Sequence, residues 1–365
     1  MKALQGVEGR VEWAQHPAPA CDVGEIRIRV AAAGLNRADL LQRAGLYPPP
    51  PGASEVLGLE CAGIVSEVGA GCDWKVGDRV CALLSGGGMA EEVVVDARHA
   101  LPVPEGMTLA EAAALPEVYA TAWLNLFQLA ALKPGQKVLL HAGASGVGSA
   151  AIQLCKAFGS PCWVSVGSAE RLAYCESLGA QGGVLRGEEQ LQALRDFAPF
   201  DVILDPVGGS YAALNLDLLA VDGRWVNIGL LGGRKAELDL ATLLGKRIAL
   251  IGSTLRNRDE QFKADLLPRL LIEVAVKAIA VAAIDGGGVA RELFVTLAGV
   301  GRTQFMKALQ PLFMQRFAGG EYGLLQERGV TFVSGQQVAA AWRRRMTSQL
   351  QRRLHRFIGH NPSRR

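Results

Sequence analysis

The chain has 365 residues, enough for one large domain or two ordinary ones, and its 50% hydrophobic content can fill a sizeable core. The 44 glycines show no three-residue period, which excludes a collagen-like fibre and favours an enzyme with many tight turns. The formal net charge of +3 averages two different parts. Residues 1–269 hold 24 basic and 30 acidic residues, whereas residues 328–365 hold nine arginines and no carboxylate. We therefore expect an acidic body with a basic tail, and the average charge is no evidence of nucleic-acid binding by the body.

The N-terminal residues and the cysteines predict a soluble, cytoplasmic protein. Charged residues interrupt the first 16 positions, so no apolar run of signal-peptide length is present. Residues 270–284 form the most apolar later stretch, but Glu273 and Lys277 make it too charged to span a bilayer. The seven cysteines all lie in the first half of the chain and never form C-x-x-C, which favours reduced thiols over a disulfide framework.

Residues 1–115 predict mostly β structure. Short runs rich in β-branched residues, such as EIRIRVAAAG at 25–34 and AEEVVVDARHALPVPEG at 90–106, are punctuated by Gly, Pro and Asp. The segment KVGDRVCAL at 75–83 has a turn followed by a strand. This pattern is typical of a small β-barrel-like domain.

From about residue 121 to residue 255 the pattern changes to alternating strands and helices. KVLLHAG at 137–143 predicts a strand, and VGSAAIQLCKAFG at 147–159 predicts a helix that ends at a glycine. The alternation continues through CWVSVGS, SAERLAYCESLGA, FDVILDPVGG, SYAALNLDLLAVDG, GRWVNIGLLGG and RIALIGSTL. Strands and helices of these lengths indicate parallel βαβ units and a doubly wound sheet. Beyond Pro268 the chain becomes rich in Ala, Gly and Arg, and the pattern predicts helices but no architecture.

The strongest chemical motif is HAGASGVGSAA at 141–151, which follows an apolar strand and opens a helix. Gly143, Gly146 and Gly148 allow a sharp turn and a close approach of the backbone to a pyrophosphate. The helix N-terminus offers unpaired N–H groups and a partial positive charge. The motif predicts a dinucleotide site, and the alternative is a tight strand–helix turn with no ligand.

The end of the next strand predicts which cofactor is preferred. Folds that prefer NAD carry an Asp or Glu about 20 residues beyond the glycines, where it binds the ribose hydroxyls. Here Ser168 stands at that place, with Gly167 before it and Arg171 after it. A hydroxyl and a guanidinium suit a 2′-phosphate and favour NADPH, although Glu170 lies nearby and a solvated arginine at a helix start is the alternative.

Several long strings resemble the zinc-independent quinone oxidoreductases of the medium-chain dehydrogenase/reductase superfamily. They span roughly residues 25–260 and come nearest to the tumour-suppressor-inducible quinone oxidoreductase branch. The strings are GLNRADLLQRAGLYPPPPGASEVLGLE, CAGIVSEVGAGC, LPVPEGMTLAEAAALPE, HAGASGVGSAAIQL, DPVGGSYAALNLDLLAVDGRWVNIGLLGG and GSTLRNRD. The resemblance implies a GroES-like β-rich catalytic domain at 1–120 and an NADPH-binding Rossmann domain at 121–260.

The residues also bear on zinc. Zinc alcohol dehydrogenases of this superfamily take one catalytic zinc ligand from a G-H-E motif and another from a cysteine near the first strands. This chain has Gly58, Leu59 and Glu60 at the motif, and the segment 34–36 at the position of the cysteine. Leu59 cannot bind zinc, and the remaining thiols lack ligand spacing. We predict no metal, which favours reduction of an electrophilic acceptor over alcohol oxidation.

The resemblance places Asn36 and Tyr47 in the cleft that holds nicotinamide and substrate. The Asn36 amide could hydrogen-bond a quinone carbonyl, or it could only stabilise a turn. The Tyr47 hydroxyl could donate to the reduced oxygen, with an exposed loop aromatic as the alternative. The predicted cofactor-binding residues are Tyr47, Ser145, Gly146, Val147, Gly148, Gly167, Ser168, Arg171, Gly229 and Leu230.

The implied function is NADPH-dependent reduction of a quinone, with electrons leaving as a hydride or singly. The alternatives are an enoyl or alkenal reductase of the same fold and a catalytically impaired NADPH-binding variant. The last follows from the C-terminal region 261–365, which does not match the closing strands of the family and is either a genuine extension or an altered gene end. The resemblance also implies a homodimer formed through edge strands near residues 248–255.

The basic tail has two interpretations. Its arginines, with Trp342 and Phe357, could contact the phosphates of RNA. The other interpretation, a solvated or disordered tail, is the one that we favour. His141 and Asp205, at the ends of two predicted strands, are expected to be structural rather than catalytic.

Overall fold

The computed structural model describes residues 1–7, 9–187 and 191–285. The basic tail and most of the region 261–365 lie outside the described residues, so their predictions stay predictions. The fold class predicted from the sequence, a β-rich domain with a doubly wound parallel sheet, is confirmed.

The described part of the first 105 residues is built from seven strands. These are β1 (Lys2–Val7), β2 (Arg10–Gln15), β3 (Glu25–Ala33), β4 (Glu60–Val68), β5 (Arg79–Leu83), β6 (Glu92–Asp96) and β7 (Ala100–Pro102). β1 and β2 form a hairpin, and the other five form an antiparallel sheet in the order β6-β3-β4-β5-β7. Alternation of side chains explains β3, because Ile26 and Ile28 are fully buried while Arg27 faces outward and pairs with Glu67 and Glu92.

Short helices surround this sheet. They are α1 (Arg37–Arg43), α2 (Leu109–Ala112) and α3 (Pro116–Trp123). Thr108 caps α2 in a reciprocal pair with Glu111, and Pro116 opens α3 at the position where a missing N–H costs nothing. α3 continues into a π-helical turn, Leu124–Leu129, and so connects the two sheets.

The second sheet has six parallel strands. They are β8 (Val138–His141), β9 (Cys162–Val166), β10 (Gly182–Leu185), β11 (Phe200–Asp205), β12 (Leu219–Asn227) and β13 (Ala249–Gly252). Their spatial order is β10-β9-β8-β11-β12-β13, which is the dinucleotide-binding order 3-2-1-4-5-6. Successive strands from β8 to β10 are added toward one edge of the sheet, and those from β11 to β13 are added toward the other edge. The order of strands therefore reverses between β8 and β11, and ligands of such sheets bind at the carboxyl ends of the strands at this switch point.

The helices of the second half are α4 (Gly146–Phe158), α5 (Ala169–Leu178), α6 (Ala212–Leu218), α7 (Leu240–Gly245) and α8 (Glu260–Asp285). α4 ends at Gly159, whose φ of 76° lies in the left-handed region that glycine adopts without strain. The largest core cluster joins α3, α4, β8 and β9 to the first turns of α8, where Leu266 and Leu267 are buried.

One predicted boundary was wrong. The sequence pattern predicted a helix over residues 210–223, but α6 ends at Leu218 and β12 begins at Leu219. Leu219 pairs with Phe200, and the next parallel pair is Arg224 with Val202, so the residues between them bulge out of the ladder. Residues 219–223, which the sequence pattern placed with the helix, therefore belong to the strand.

α8 continues through Pro268, where the sequence marked a change of composition. No helix in the described part of the chain is both long enough and apolar enough to cross a membrane.

Candidate functional site

The phosphate loop, residues 142–148, has the shape of an anion cradle. Ser145 caps α4 by accepting a hydrogen bond from the Gly148 N–H at 3.1 Å. A Cβ at Gly148 would lie 2.4 Å from the Gly143 carbonyl oxygen and 2.6 Å from that of Ala142, so only glycine fits. The first N–H groups of a helix have no carbonyl partner within it. The loop therefore presents backbone donors and a positive helix end, which suits a pyrophosphate.

A cleft of about 630 Å³ lies beside this loop, at the carboxyl ends of β8, β9 and β10. Two guanidinium groups converge there on Gly167. A Cβ built on Gly167 would lie 2.7 Å from Arg186 Nη2 and 3.4 Å from Arg171 Nη1. We call these two arginines the arginine pair. Glu170 also lines the cleft, so the charged side chains of the lining are two arginines and one carboxylate, and their net charge is positive. The cleft is lined by Ala142, Ala144, Ser145, Val166, Gly167, Glu170, Arg171, Tyr174 and Arg186.

The remaining predicted cofactor residues of the second half lie at different places. Ser168 caps α5, and its Oγ accepts from the Arg171 N–H at 3.3 Å, so this hydroxyl supports Arg171 rather than lining the cleft. Val147 is partly buried against the core. Gly146 packs closely on α3, because a Cβ there would lie 2.9 Å from Val118 Cγ1.

Gly229 and Leu230 follow β12. A Cβ at Gly229 would lie 2.6 Å from the Pro206 carbonyl oxygen, which places this glycine beside the loop that follows β11. Leu230 is 55% exposed. Both residues therefore lie at the carboxyl ends of β11 and β12, on the far side of the switch point from the arginine pair.

Asn36 is held by a buried carboxylate. Its Nδ2 donates to Glu60 Oε1 at 2.8 Å, and the Glu117 backbone N–H donates to Glu60 Oε2 at 2.9 Å. Glu60 is only 2% exposed, and burial raises its pKa although these two hydrogen bonds lower it in part. The side chain of Asn36 is thus tied to β4 and to the N-terminus of α3.

Glu117 has the most perturbed carboxyl group of this region. Burial, followed by the neighbouring charge of Glu60, raises the pKa of Glu117 to about 8. Thr121 Oγ1 donates to Glu117 Oε1 at 3.3 Å, and the charge of Lys263 offsets part of the rise. The raised pKa therefore favours the protonated form of Glu117 at neutral pH.

Tyr47 is half-buried and rests on Arg256. The Arg256 guanidinium carbon lies 5.4 Å from the centre of the Tyr47 ring, and Nη1 donates to the Tyr47 carbonyl oxygen at 3.4 Å. Arg256 is 3% exposed and also donates to the Ser85 carbonyl oxygen at 2.9 Å and to Gln42 Oε1 at 2.7 Å. Burial raises the pKa of the Tyr47 hydroxyl, so the phenol stays protonated and available as a donor at neutral pH.

Lys263, from the first turns of α8, completes this region. It is 2% exposed, its Nζ donates to Ser85 Oγ at 2.5 Å, and burial lowers its pKa. We call the whole set the polar cluster. It consists of Asn36, Tyr47, Glu60, Glu117, Arg256, Lys263 and the buried Asp39, whose carboxylate accepts from the backbone N–H groups of Asn36 and Gly58.

The structure thus gathers Asn36 and Tyr47 in one region and Ser145, Gly167 and Arg171 in another. Val118 connects the two regions, because it follows Glu117 on α3 and contacts Gly146 of the phosphate loop. Sequence reasoning missed the roles of Glu60, Glu117, Arg186, Arg256 and Lys263. Only Arg186 had a usable signal, as a cation directly after the third strand of the parallel sheet.

His141 and Asp205 are engaged in internal hydrogen bonds, in keeping with the structural role that the sequence favoured. His141 bonds to Ser165 Oγ and Asn215 Oδ1, both at 2.8 Å. Asp205 accepts from Asn215 Nδ2 and Trp225 Nε1 and from two backbone N–H groups of the following turn. These hydrogen bonds connect β8 and β11 to each other through Asn215 of α6, and to the neighbouring strands β9 and β12.

At the position of the predicted missing zinc ligand, Leu59 is 1% exposed and belongs to the apolar interior. Among the residues that the structure describes, no group of three or more His, Cys, Asp or Glu side chains is arranged to hold a metal ion. Independence from zinc stays a prediction from the sequence.

Two family models match the chain, one over most of the β-rich first part and one from the phosphate loop into α8. "Alcohol dehydrogenase GroES-like domain" matches residues 22–105, and "Zinc-binding dehydrogenase" matches residues 146–271. A quinone oxidoreductase from Thermus thermophilus, solved alone and with NADPH, has 31% sequence identity and a TM-score of 0.63, and the match covers 74% of this chain and 85% of that one. The chain belongs to the medium-chain dehydrogenase/reductase superfamily.

Two further relatives show the breadth of this superfamily. The CurK enoyl reductase has 28% identity and a TM-score of 0.63, with coverage of 79% of this chain and 90% of that chain. The synaptic vesicle membrane protein VAT-1 homolog of Danio rerio is 39% identical over 231 residues, which are 60% of this chain. The chain spans about half of that relative's length, 47%.

Proposed function

We propose that the protein uses NADPH to reduce quinones, without zinc, between the phosphate loop and the polar cluster. The observation that carries this proposal is the arginine pair beside the phosphate loop. In an NAD-preferring site a carboxylate binds the ribose hydroxyls at this place, and it would repel a 2′-phosphate. The guanidinium groups of Arg171 and Arg186 meet there instead and match the charge and the planar donor geometry that a phosphate requires.

The residues present fit a dinucleotide. The turn at Gly148, which a Cβ would fill, and the open end of α4 suit its pyrophosphate, while the cleft at Gly167 suits its adenosine ribose. NADPH, when bound, supplies the hydride. Support for NADPH also comes from the Thermus thermophilus quinone oxidoreductase, whose structure was solved with this cofactor.

The polar cluster would bind and orient the acceptor. Tyr47 offers a protonated phenol as a hydrogen-bond donor, and Arg256 fixes the backbone and ring of Tyr47. Glu60 sets the direction of the Asn36 amide. Leu59 brings no metal-binding atom, so these residues would act on an acceptor that is already electrophilic, mostly by positioning it.

Two alternatives remain. An enoyl or alkenal reductase is favoured by the similarity to the CurK enoyl reductase, because the same fold accommodates an α,β-unsaturated acceptor. A catalytically impaired NADPH-binding variant is favoured by the departure of the C-terminal sequence from the resemblance. Membership in the tumour-suppressor-inducible branch is part of the leading proposal.

NADPH oxidation by the full chain separates these three functions. The absorbance of NADPH is followed with a panel of ortho-quinones and para-quinones and, in parallel, with an α,β-unsaturated aldehyde. Turnover of quinones that survives a metal chelator supports the proposal. Turnover of the aldehyde alone supports the enoyl reductase, and NADPH binding without turnover of any acceptor supports the impaired variant.

We also propose a homodimer formed through β13. This strand is at the edge of the parallel sheet, and Leu250 on it is 45% exposed. An apolar open edge is a ready surface for strand pairing with a second copy. Light scattering after gel filtration is expected to give a dimer for the wild type and for Leu240→Arg, an exposed position off the edge, and a monomer for Leu250→Arg. A wild-type monomer would contradict the proposal.

A further inference from the structure

Two of the seven cysteines differ from the other five in their surroundings. Cys21 and Cys72 are partly exposed, whereas the other five are buried. Burial raises the pKa of Cys61 and Cys81, which keeps these thiols protonated and inert. Burial and neighbouring carboxylates also raise the pKa of Cys21 and Cys72, so these two thiols differ from the others in accessibility and not in acidity. The buried group consists of Cys61, Cys81, Cys155, Cys162 and Cys175.

Cys21 and Cys72 bond to the same oxygen atom. Cys21 Sγ donates to the Glu25 carbonyl oxygen at 3.5 Å, and Cys72 Sγ donates to it at 3.4 Å. The sulfur atoms therefore cannot lie further apart than these two distances combined. They come from different segments, the connection between β2 and β3 and the turn that follows β4.

The backbone holds these two segments side by side. The Gly24 N–H donates to the Ala70 carbonyl oxygen at 2.9 Å, and the Gly69 N–H donates to the Glu25 carbonyl oxygen at 2.8 Å. A disulfide requires Cα atoms within about 7 Å and Cβ atoms that face each other. Adjacent hydrogen-bonded segments with both thiols on one acceptor keep the two sulfur atoms near each other, and forming the disulfide requires a local movement that brings them into contact.

We propose that Cys21 and Cys72 form a reversible intramolecular disulfide when the protein meets a low-molecular-weight disulfide. One protein thiolate attacks a sulfur of the oxidant, forms a mixed disulfide and releases the first small thiol. The second protein thiolate attacks the protein sulfur of that mixed disulfide and releases the second small thiol. The protein loses two electrons and two protons, and the oxidant gains them.

The disulfide would close a ring over residues 21–72. This ring contains four members of the polar cluster, Asn36, Asp39, Tyr47 and Glu60. Cross-linking restricts the unfolded chain, so the oxidised protein is expected to melt about 5 °C higher than the reduced protein. The proposal is independent of the proposed function, because it needs no NADPH and no acceptor.

The test uses the full chain, reduced and then incubated with oxidised glutathione. Trypsin leaves Cys61 and Cys72 on one peptide, so a second cleavage at Glu67 is needed before mass mapping. We expect a Cys21 peptide joined to a Cys72 peptide. A thiol reagent should find two accessible thiols in the reduced native protein, none after oxidation, and both again after reduction.

Cys21→Ser is the matched control. It leaves Cys72 as one accessible thiol that retains glutathione as a mixed disulfide, and the rise in melting temperature on oxidation should disappear. Should the variant fail to fold, the mapping of the wild-type protein decides. Stable glutathione adducts on both cysteines with no linkage between them, or linkage to a second chain, would overturn the proposal.

Discussion

The phosphate loop and the polar cluster are joined through α3 but are built in different ways. The loop is made from neighbouring residues, and its function rests on backbone shape and a helix end. The polar cluster gathers side chains from positions 36 to 263, and its function rests on buried charges that constrain one another. We therefore expect binding of the cofactor to be sensitive to added volume, and handling of the acceptor to be sensitive to pH and to removed charge.

Gly148→Ala is expected to have the largest effect. Its Cβ would collide with two backbone oxygens, which cannot move without opening the turn. We expect NADPH affinity to fall by about 100-fold and stability by about 3 kcal/mol. Fluorescence titration and urea unfolding measure the two losses.

Gly245→Ala is the control for added volume, since a Cβ there meets no atom within 4 Å and the residue is exposed at the end of α7. It is expected to leave NADPH affinity unchanged and to change stability by less than about 1 kcal/mol. Equal losses in both variants would show that the phosphate loop tolerates a side chain.

Glu117→Gln should change the dependence of stability on pH. The folded pKa of about 8 lies above the unfolded value, so the folded protein binds more protons between these values. The proton bound by Glu117 stabilises the folded protein fully at pH values below the unfolded pKa. This stabilisation is lost as the pH rises through the folded pKa of about 8. From about pH 5 to about pH 8.5, the wild type should lose on the order of 3 kcal/mol relative to Glu117→Gln.

Urea unfolding at the two pH values checks this, with Glu105→Gln on the exposed loop before α2 as the control. The control should follow the wild type at both pH values. Parallel pH curves for the wild type and Glu117→Gln would mean that Glu117 is ionised in the folded protein at neutral pH.

Arg256→Lys tests whether the polar cluster positions Tyr47. The single nitrogen of a lysine ammonium cannot reproduce the planar fork in which the separate Nε, Nη1 and Nη2 atoms of Arg256 donate to Ser85, Tyr47 and Gln42. We expect kcat/KM for the quinone to fall by about tenfold while NADPH affinity stays unchanged. Arg258→Lys, which alters a contact with Phe262 on the adjacent surface, serves as the control. A loss of NADPH affinity in Arg256→Lys would place this residue in the cofactor site instead.

Ser145→Ala should give the smallest change. It removes the hydroxyl that caps α4 but leaves the glycine turn intact, so stability should fall by about 1 kcal/mol. Thermal unfolding measures the change. A loss as large as that of Gly148→Ala would contradict the view that backbone shape dominates this region.

The sequence predicted those parts that neighbouring residues determine. The order of strands and helices and the phosphate loop follow from local periodicity and from glycines near one another in the chain. The boundary between α6 and β12 was missed because Leu219 already pairs with Phe200, and no local pattern marks that pairing.

The polar cluster could not be predicted for a physical reason. The hydrogen bond from Arg256 to Gln42 joins residues 214 positions apart, and no local pattern encodes such a pair. The raised pKa of Glu117 depends on burial by the whole fold. Asn36 and Tyr47 entered only through the family resemblance, which names positions but not their partners.

The preference of the arginine pair for a 2′-phosphate is best tested by comparing NADPH with NADH as the reductant of one ortho-quinone. We expect kcat/KM for NADPH to exceed that for NADH by about 100-fold in the wild type. In the double variant Arg171→Ala with Arg186→Ala, the two values should approach each other, chiefly through loss of the NADPH reaction. Equal use of both cofactors by the wild type, or an unchanged preference in the double variant, would show that the arginine pair does not select NADPH.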